Sequence, residues 1–285
     1  MILHRLGRES DWAATRRPYH MIFSEKAILG RTGLEVGRLG ISSSFGAPAA
    51  AFEAAFERGC NYFTWGTFIK GRSSAMLTAI HNITAAGKRD NLVVGMLTYA
   101  HNARLTEHFF IKGLRAAGLE YTDVLLLGYF PRRPPQSVID GALRLKEKGL
   151  VRFIGLTSHN RKLFPELVEE GLFDVFHIRY NAAHRGAETE TFPHLNGRER
   201  PGIVSFTATA WRKLLKPKKT PAGEKPLSAQ DCYRFVLSHA AVDVCMMGAA
   251  GMAQMQENLQ VLEKGPLTES ELTRVHIIGA YVYGK

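Results

Sequence analysis

The chain has 285 residues, of which 45% are apolar and 22% charged, and a formal net charge of +11. Such a chain can bury one large core of α/β-barrel size, and no stretch approaches the eighteen uncharged apolar residues of a membrane span. Its three cysteines, Cys60, Cys232 and Cys245, are odd in number and form no CxxC pair, which argues against a disulfide framework or structural zinc and for a reducing, cytoplasmic setting.

Residues 1–20 carry Arg5, Arg8, Arg16 and Arg17 without an apolar segment, so they do not read as a secretory signal. Met21 stands directly before the part that reads as folded. Residues 1–20 are therefore expected to be a disordered leader or an upstream extension that adds nothing to the core, and 21–285 to form one domain. Within Ala27–Gly40, Arg31-Thr32-Gly33 separates two short apolar runs, which reads as a β-hairpin turning at Thr32-Gly33.

Eight short runs then recur about thirty residues apart: Leu39–Ser43, Asn61–Thr64, Leu92–Leu97, Asp123–Leu127, Phe153–Thr157, Val175–Ile178, Ile203–Thr207 and Val242–Met247. Seven are almost continuously apolar, as parallel strands covered on both faces should be. Asn61–Thr64 is the weak one. Between them, Ala49–Arg58, Ser73–Ala86, Thr106–Ala117, Gln136–Lys148 and Lys162–Glu170 show helical periodicity. Gly59, Gly118, Gly149 and Gly171 stand where left-handed C-caps are wanted, and Ser228 is placed to cap a helix Ala229–Ser238. Met252, Met255, Leu259 and Leu262 make a core stripe, whereas His184–Pro201 has no helical period, so the sixth unit is expected to lack a regular helix. The pattern predicts an α/β fold, a (β/α)8 TIM barrel with an N-terminal β-hairpin.

The charge is concentrated. Arg212, Lys213, Lys216, Lys218, Lys219 and Lys225 stand against Glu224 alone in the segment after the seventh run. A diffuse basic surface would suggest nucleic acid, whereas one basic loop suggests a phosphate-bearing small ligand. Pro217, Pro221 and Gly223 leave open a merely solvated loop.

Several segments in register with these strands resemble the aldo-keto reductase superfamily over roughly Ala27 to Lys264. They are Leu29-Gly-Arg-Thr-Gly-Leu-Glu-Val36, Gly59-Cys-Asn-Tyr-Phe63, Gly118-Leu-Glu-Tyr-Thr-Asp-Val-Leu-Leu-Leu127, Lys146-Glu-Lys-Gly-Leu-Val-Arg-Phe-Ile-Gly155, Tyr180-Asn181 and Gln254-Met-Gln-Glu-Asn258. The resemblance implies a barrel whose hairpin closes the bottom, carbonyl reduction with NADP or NAD, and a tetrad of Asp, Tyr, Lys and His. At those four positions the chain has Thr64, Ile69 (or Phe68 if the alignment slips), Leu97 and Gly128. The tetrad is absent, and with it a general acid of the kind typically worth about 10²–10⁴-fold.

The family's cofactor positions, carried over by the same resemblance, fall on Thr157 and Ser158 after the fifth strand, His177 ending the sixth and Thr207 ending the seventh. Gln254 and Asn258 retain the adenine side. Arg212, Lys216 and Lys218 lie in the loop that folds over the pyrophosphate, while the residue meeting a 2′-phosphate falls near Ala250. Active sites of such barrels form at the C-terminal strand ends. There the sequence offers Tyr99 and Tyr129 as replacement proton donors and His159 and His177 as bases, with His101, Thr209 and Trp211 nearby. No HxH pair or carboxylate accompanies these histidines, so no metal is expected. Three readings stand: a reductase-like protein that binds a dinucleotide, with its chemistry lost or rebuilt; a cofactor-independent ester or phosphoester hydrolase; and a non-catalytic nucleotide-binding protein.

Overall fold

A strand covered on both faces satisfies its backbone only against two neighbours, and all eight runs, the weak one included, do so. The computed structural model describes residues 15–18, 20–66, 74–197 and 199–284. A two-stranded hairpin, β1 (Ala27–Ile28) and β2 (Glu35–Val36), precedes the barrel. The barrel strands are β3 (Leu39–Ser42), β4 (Tyr62–Gly66), β5 (Val93–Thr98), β6 (Thr122–Leu127), β7 (Val151–Ser158), β8 (Val175–Arg179), β9 (Gly202–Phe206) and β10 (Val244–Met247). They are parallel in sequence order, and β10 closes on β3.

Helices α1 (Ala49–Glu57), α2 (Ser74–Ala85), α3 (Ala103–Ala117), α4 (Gln136–Glu147) and α5 (Leu163–Glu170) fill the first five crossovers, close to the periodic segments. The sixth has only α6 (Ala187–Glu190) and a 3-10 turn, as its missing period implied. After it come α7 (Ala229–Ser238), with a capping box between Ser228 and Asp231, then α8 (Met252–Leu259) and α9 (Glu269–Tyr283). Helix α9 was not anticipated. Its signal was Thr268-x-x-Glu271, which forms a second capping box. No helix among the described residues is long and apolar enough to cross a membrane.

Two expectations need correction. The hairpin does not turn tightly at Thr32-Gly33. A 3-10 turn, Gly30–Thr32, intervenes, with the Thr32 hydroxyl donating to Leu29 O at 2.7 Å and accepting from Leu34 N at 3.1 Å. The wider loop carries buried Leu29 and Leu34 into the bottom of the barrel, which a two-residue turn could not do. Nor is the whole leader idle. Residues 15–18 run along the end of α7: Arg17 N donates to Ser238 O at 3.0 Å and Ala240 N to Thr15 O at 2.7 Å. The Arg17 guanidinium donates to the carbonyls of Leu237, Ala240 and Val242. Carbonyls past a helix end need donors, and the half-buried Arg17 supplies several. Residues 1–14 and 19 lie outside the described residues.

The bottom of the barrel repeats one device four times. At the start of β4, β6, β8 and β10 stand Asn61, Asp123, Asp174 and Asp243. Each accepts a hydrogen bond from a backbone N–H in the lower half of the preceding strand or just before it: Gly37, Val94, Ile154 and Ile203, at 2.9–3.0 Å. Each buried aspartate also takes basic partners. Arg89 and Arg152 bind Asp123, Arg31 and Lys146 bind Asp174, and Arg200 binds Asp243 through both terminal nitrogens.

Inside the barrel, three strands present glycine where their alternate neighbours present bulk. A Cβ on Gly40 would lie 2.6 Å from Met246 Sδ, and one on Gly155 would lie 2.7 Å from Leu126 Cδ2. The space left at Gly40 and Gly95 admits the Tyr62 ring, which spans the interior so that its hydroxyl meets His177 Nε2 at 2.8 Å. Cys60, Cys232 and Cys245 are free and buried, and burial pushes all three thiols upward, as core residues require.

Two outcomes follow from these contacts. A chain starting at Met21 should melt at least about 4 °C below the full chain, since about 1 kcal/mol shifts a domain of this size by 2–4 °C; equal melting temperatures would show that the Arg17 contacts contribute nothing. Asp243→Ala should cost about 3–5 kcal/mol in urea unfolding, because it strands a buried arginine and an N–H, while Asp243→Asn should cost less. A loss under about 1 kcal/mol for the alanine variant would refute the clamp.

Candidate functional site

At the C-terminal strand ends the floor is neutral and tightly filled. Thr64 sits in the interior, its hydroxyl 3.9 Å from Met246 Sδ. Leu97 packs on the inner core, and a Cβ on Gly128 would meet Leu97 Cδ1 at 2.7 Å and Thr157 Cγ2 at 2.8 Å. The space a side chain at 128 would need is thus taken by Leu97 and Thr157. Ile69 and Phe68 lie outside the described residues.

The sequence-derived candidates divide. His177 lies below the mouth, buried beside Tyr62, and burial holds its imidazole down to about 3. That placement suits a structural hydrogen bond better than a base meeting substrate. Ser158 is also committed inward: its hydroxyl donates to Phe130 O at 2.7 Å and accepts from Asn160 N at 3.0 Å. Burial raises the Tyr99 phenol, which weakens it as an acid at neutral pH. His101 packs edge-on against Phe130, and Thr209 accepts from Arg212 N at 3.2 Å.

A second group does come together. The His159 ring lies 4.8 Å from Tyr129 and 5.2 Å from Phe206, both edge-on, and is stacked with Trp211 at 6.2 Å. Arg179 stands over the same Trp211 ring at 5.9 Å, and His184 meets it edge-on at 6.0 Å. The loop carrying Trp211 is strained, with positive φ at Thr207 (58°), Ala210 (49°), Trp211 (54°) and Arg212 (67°). Each such non-glycine residue costs on the order of 1–3 kcal/mol and persists where surrounding contacts dictate it. Here Leu214 is the anchor: it is fully buried and its carbonyl accepts from Leu227 N at 3.1 Å. The sequence reading missed Arg179 and His184. Period two was the available signal, since Val175, His177 and Arg179 share the inward face of β8.

Around β10 the loop Gly248–Gly251 leads into α8. The Gln254 side chain accepts from Ala250 N at 2.7 Å, and Asn258 Nδ2 donates to Gly248 O at 3.3 Å. Asn258 is 1% exposed, yet its Oδ1 has no partner among the described residues. Phe45, largely exposed, lies across Gly248, where any side chain would strike the ring. The basic segment folds into two 3-10 turns, Lys213–Leu215 and Pro217–Lys219, leaving Arg212, Lys213, Lys216 and Lys218 exposed. Among the described residues no three His, Cys, Asp or Glu side chains cluster to hold a metal ion.

This architecture, a closed parallel barrel sealed below by a hairpin, is the (β/α)8 fold. No protein-family model matches the sequence, and no curated protein does. Among solved structures the chain is similar to aldo-keto reductase AKR11C1 from Bacillus halodurans. For its holo form the TM-score is 0.74 at 19% identity, covering 89% of this chain and 96% of that one. For the apo form it is 0.69 at 21% identity, covering 89% and 95%. The fold expected from the motif resemblance is therefore the fold observed.

The buried imidazoles generate a pH prediction. Burial holds His177 down to about 3 and His239 down to about 4, against about 6.5 when exposed. The unfolded chain protonates both near 6.5, so it gains protons first. Stability is whole above that pH and falls as pH drops toward 4, by about 1.4 kcal/mol per unit for each imidazole. Urea midpoints measured at pH 7 and pH 5 should show this loss, and His177→Gln should flatten part of it. Identical midpoints would mean that neither ring is held neutral.

Proposed function

We propose that this protein is an aldo-keto-reductase-like barrel that binds a phosphate-bearing nucleotide, NADP(H) or NAD(H) first, without standard carbonyl reduction. The observation that carries the reading is Asn258 Oδ1, a buried acceptor without a partner among the described residues, at a position the resemblance assigns to the adenine. Leaving such an atom unmade costs about 1–3 kcal/mol, which a ligand donor would recover.

The residues fit the two ends of a dinucleotide unequally. At the adenosine end, Gln254 orders the loop before α8 and Asn258 offers an acceptor. Exposed Arg212, Lys216 and Lys218 supply positive charge to a pyrophosphate. At the nicotinamide end the fit is poor, because Ser158 and His177 are occupied by protein partners. When bound, a nicotinamide cofactor supplies hydride. Beside it this chain has Thr64, Leu97 and Gly128, none of which releases a proton at neutral pH. Tyr129, exposed beside His159, is the better placed replacement donor. The partner is thus a small phosphorylated molecule, and three free, buried thiols suit a reducing cytoplasm.

Titration with NADPH, NADP+ and ADP-ribose tests the first half. Changing Lys216, Lys218 and Lys219 together to Ala should weaken all three by roughly tenfold, and parent affinity should fall as salt rises. Equal affinities in mutant and parent across the salt series would remove the loop from the site. Aldehyde and quinone panels with NADPH test the second half, with no turnover above a denatured control expected. Turnover of about 1 s⁻¹ or more, at the low end of ordinary enzymes, would overturn it, and Tyr99→Phe and Tyr129→Phe would then locate the donor.

A further inference from the structure

The wall of the mouth formed after β7, β8 and β9 holds a cationic aromatic cluster, of which the resemblance assigns only Thr207 to a cofactor. Arg179 has no ion-pair partner among the described residues, and its buried Nε has no hydrogen-bond acceptor. Arg161, whose charge bears on it, is already paired with Glu190 at 2.9 Å. Two further polar atoms in the same wall are buried without partners, His159 Nδ1 and Thr207 Oγ1. The charges that bear on His184, from Arg179, Arg161, Lys213 and His159, are all of one sign and push its imidazole down to about 4, after burial itself. Buried donors and unpaired positive charge of this kind are costly unless something anionic satisfies them.

The make-up of this wall narrows what that is. Trp211 is half exposed and held by a strained backbone, with His159 stacked on it and Arg179 over its ring. A flat aromatic surface beside a guanidinium matches a planar ring carrying an oxyanion: the ring lies on the indole and the oxyanion faces Arg179 and His159. Tyr283, at the end of α9, borders the cluster through its 5.8 Å edge contact with His184. An aliphatic anion would leave Trp211 uncovered, and a neutral ring would leave Arg179 unpaired.

We infer that Arg179, His159, Thr207 and Trp211 form a binding site for a small planar anion, an aromatic carboxylate or aryl phosphate, which serves as the substrate or effector of this barrel. The site goes beyond the nucleotide reading and needs none of Gln254, Asn258 or the lysine loop; it shares with that reading only Thr207, which the resemblance assigns to the cofactor, and the neighbourhood of Tyr129.

The test uses the full chain with benzoate, phenyl phosphate and benzamide as probes, followed by tryptophan fluorescence and calorimetry. At least one anion should bind and quench, and benzamide should bind at least tenfold more weakly. The tighter of the two anions tells carboxylate from phosphate. Arg179→Gln should remove the preference for the anion while leaving benzamide binding unchanged. Trp211→Leu, an exposed change expected to leave the melting temperature as it was, should weaken both anions and abolish the quench, so the site stays testable if Arg179→Gln fails to fold. Equal binding of benzamide and the anions, no binding of either anion, or full retention in either variant would overturn the site. NADPH titration of Arg179→Gln separates the two proposals: unchanged NADPH affinity supports an independent anion site. A parallel loss of NADPH would return Arg179 to the nucleotide and overturn it. Binding of benzoate by a protein that ignores NADPH would sink the nucleotide reading alone.

Discussion

A closed barrel of eight parallel strands must hold a staggered register at its bottom, where the strands begin and the backbone donors of alternate strands have no sheet partner of their own. Here Asn61, Asp123, Asp174 and Asp243 take that role, each reaching from an even barrel strand to an N–H in the lower half of the odd strand before it or just ahead of that strand. The three carboxylates are buried only because Arg89, Arg152, Arg31, Lys146 and Arg200 neutralise them. Five of the chain's basic side chains thus lie at the bottom of the barrel, away from the mouth. Four strand pairs, each locked at its base, leave the opposite ends free to vary in sequence without disturbing closure.

That freedom is visible in the mouth. Once the register is set, the inward positions of the middle layer are shared between glycines on odd strands and bulky residues on even ones, and the Tyr62–His177 pair fills the centre. The floor above it is packed with Leu97 and Thr157 over Gly128, so it carries no charge. Positive charge lies on the wall instead, at Arg179 beside the neutral rings of His159, His184 and Trp211. A packed neutral floor and a cationic wall are one arrangement: groups that cannot be solvated below are absent, and those above have a ligand or water to meet.

The eight strands, the helices between them and the C-capping glycines were legible in the sequence because each depends on local periodicity and on φ > 0 at one residue. Gly59, Gly118, Gly149 and Gly171 all adopt positive φ. The resemblance to aldo-keto reductases located the mouth residues, since motifs fix strand ends to within one position. It did not tell which side chains were free. Ser158 ends its strand as expected, whereas His177 lies mid-strand below the mouth, and protein atoms occupy polar groups of both. Arg179 went unnoticed, although its place two residues beyond His177 put it on the inward face.

By itself, then, the sequence determined the barrel and its strand order, because these are properties of periodicity along the chain. Only the tertiary structure decided that Arg17 caps α7, that Tyr62 reaches His177, and that Arg179, His159 and Trp211 form one cluster. These contacts join residues 115, 220 or 52 positions and fewer apart, on elements brought together by closure. Partnering, unlike periodicity, is a matter of distance in space, and only the closed barrel sets those distances.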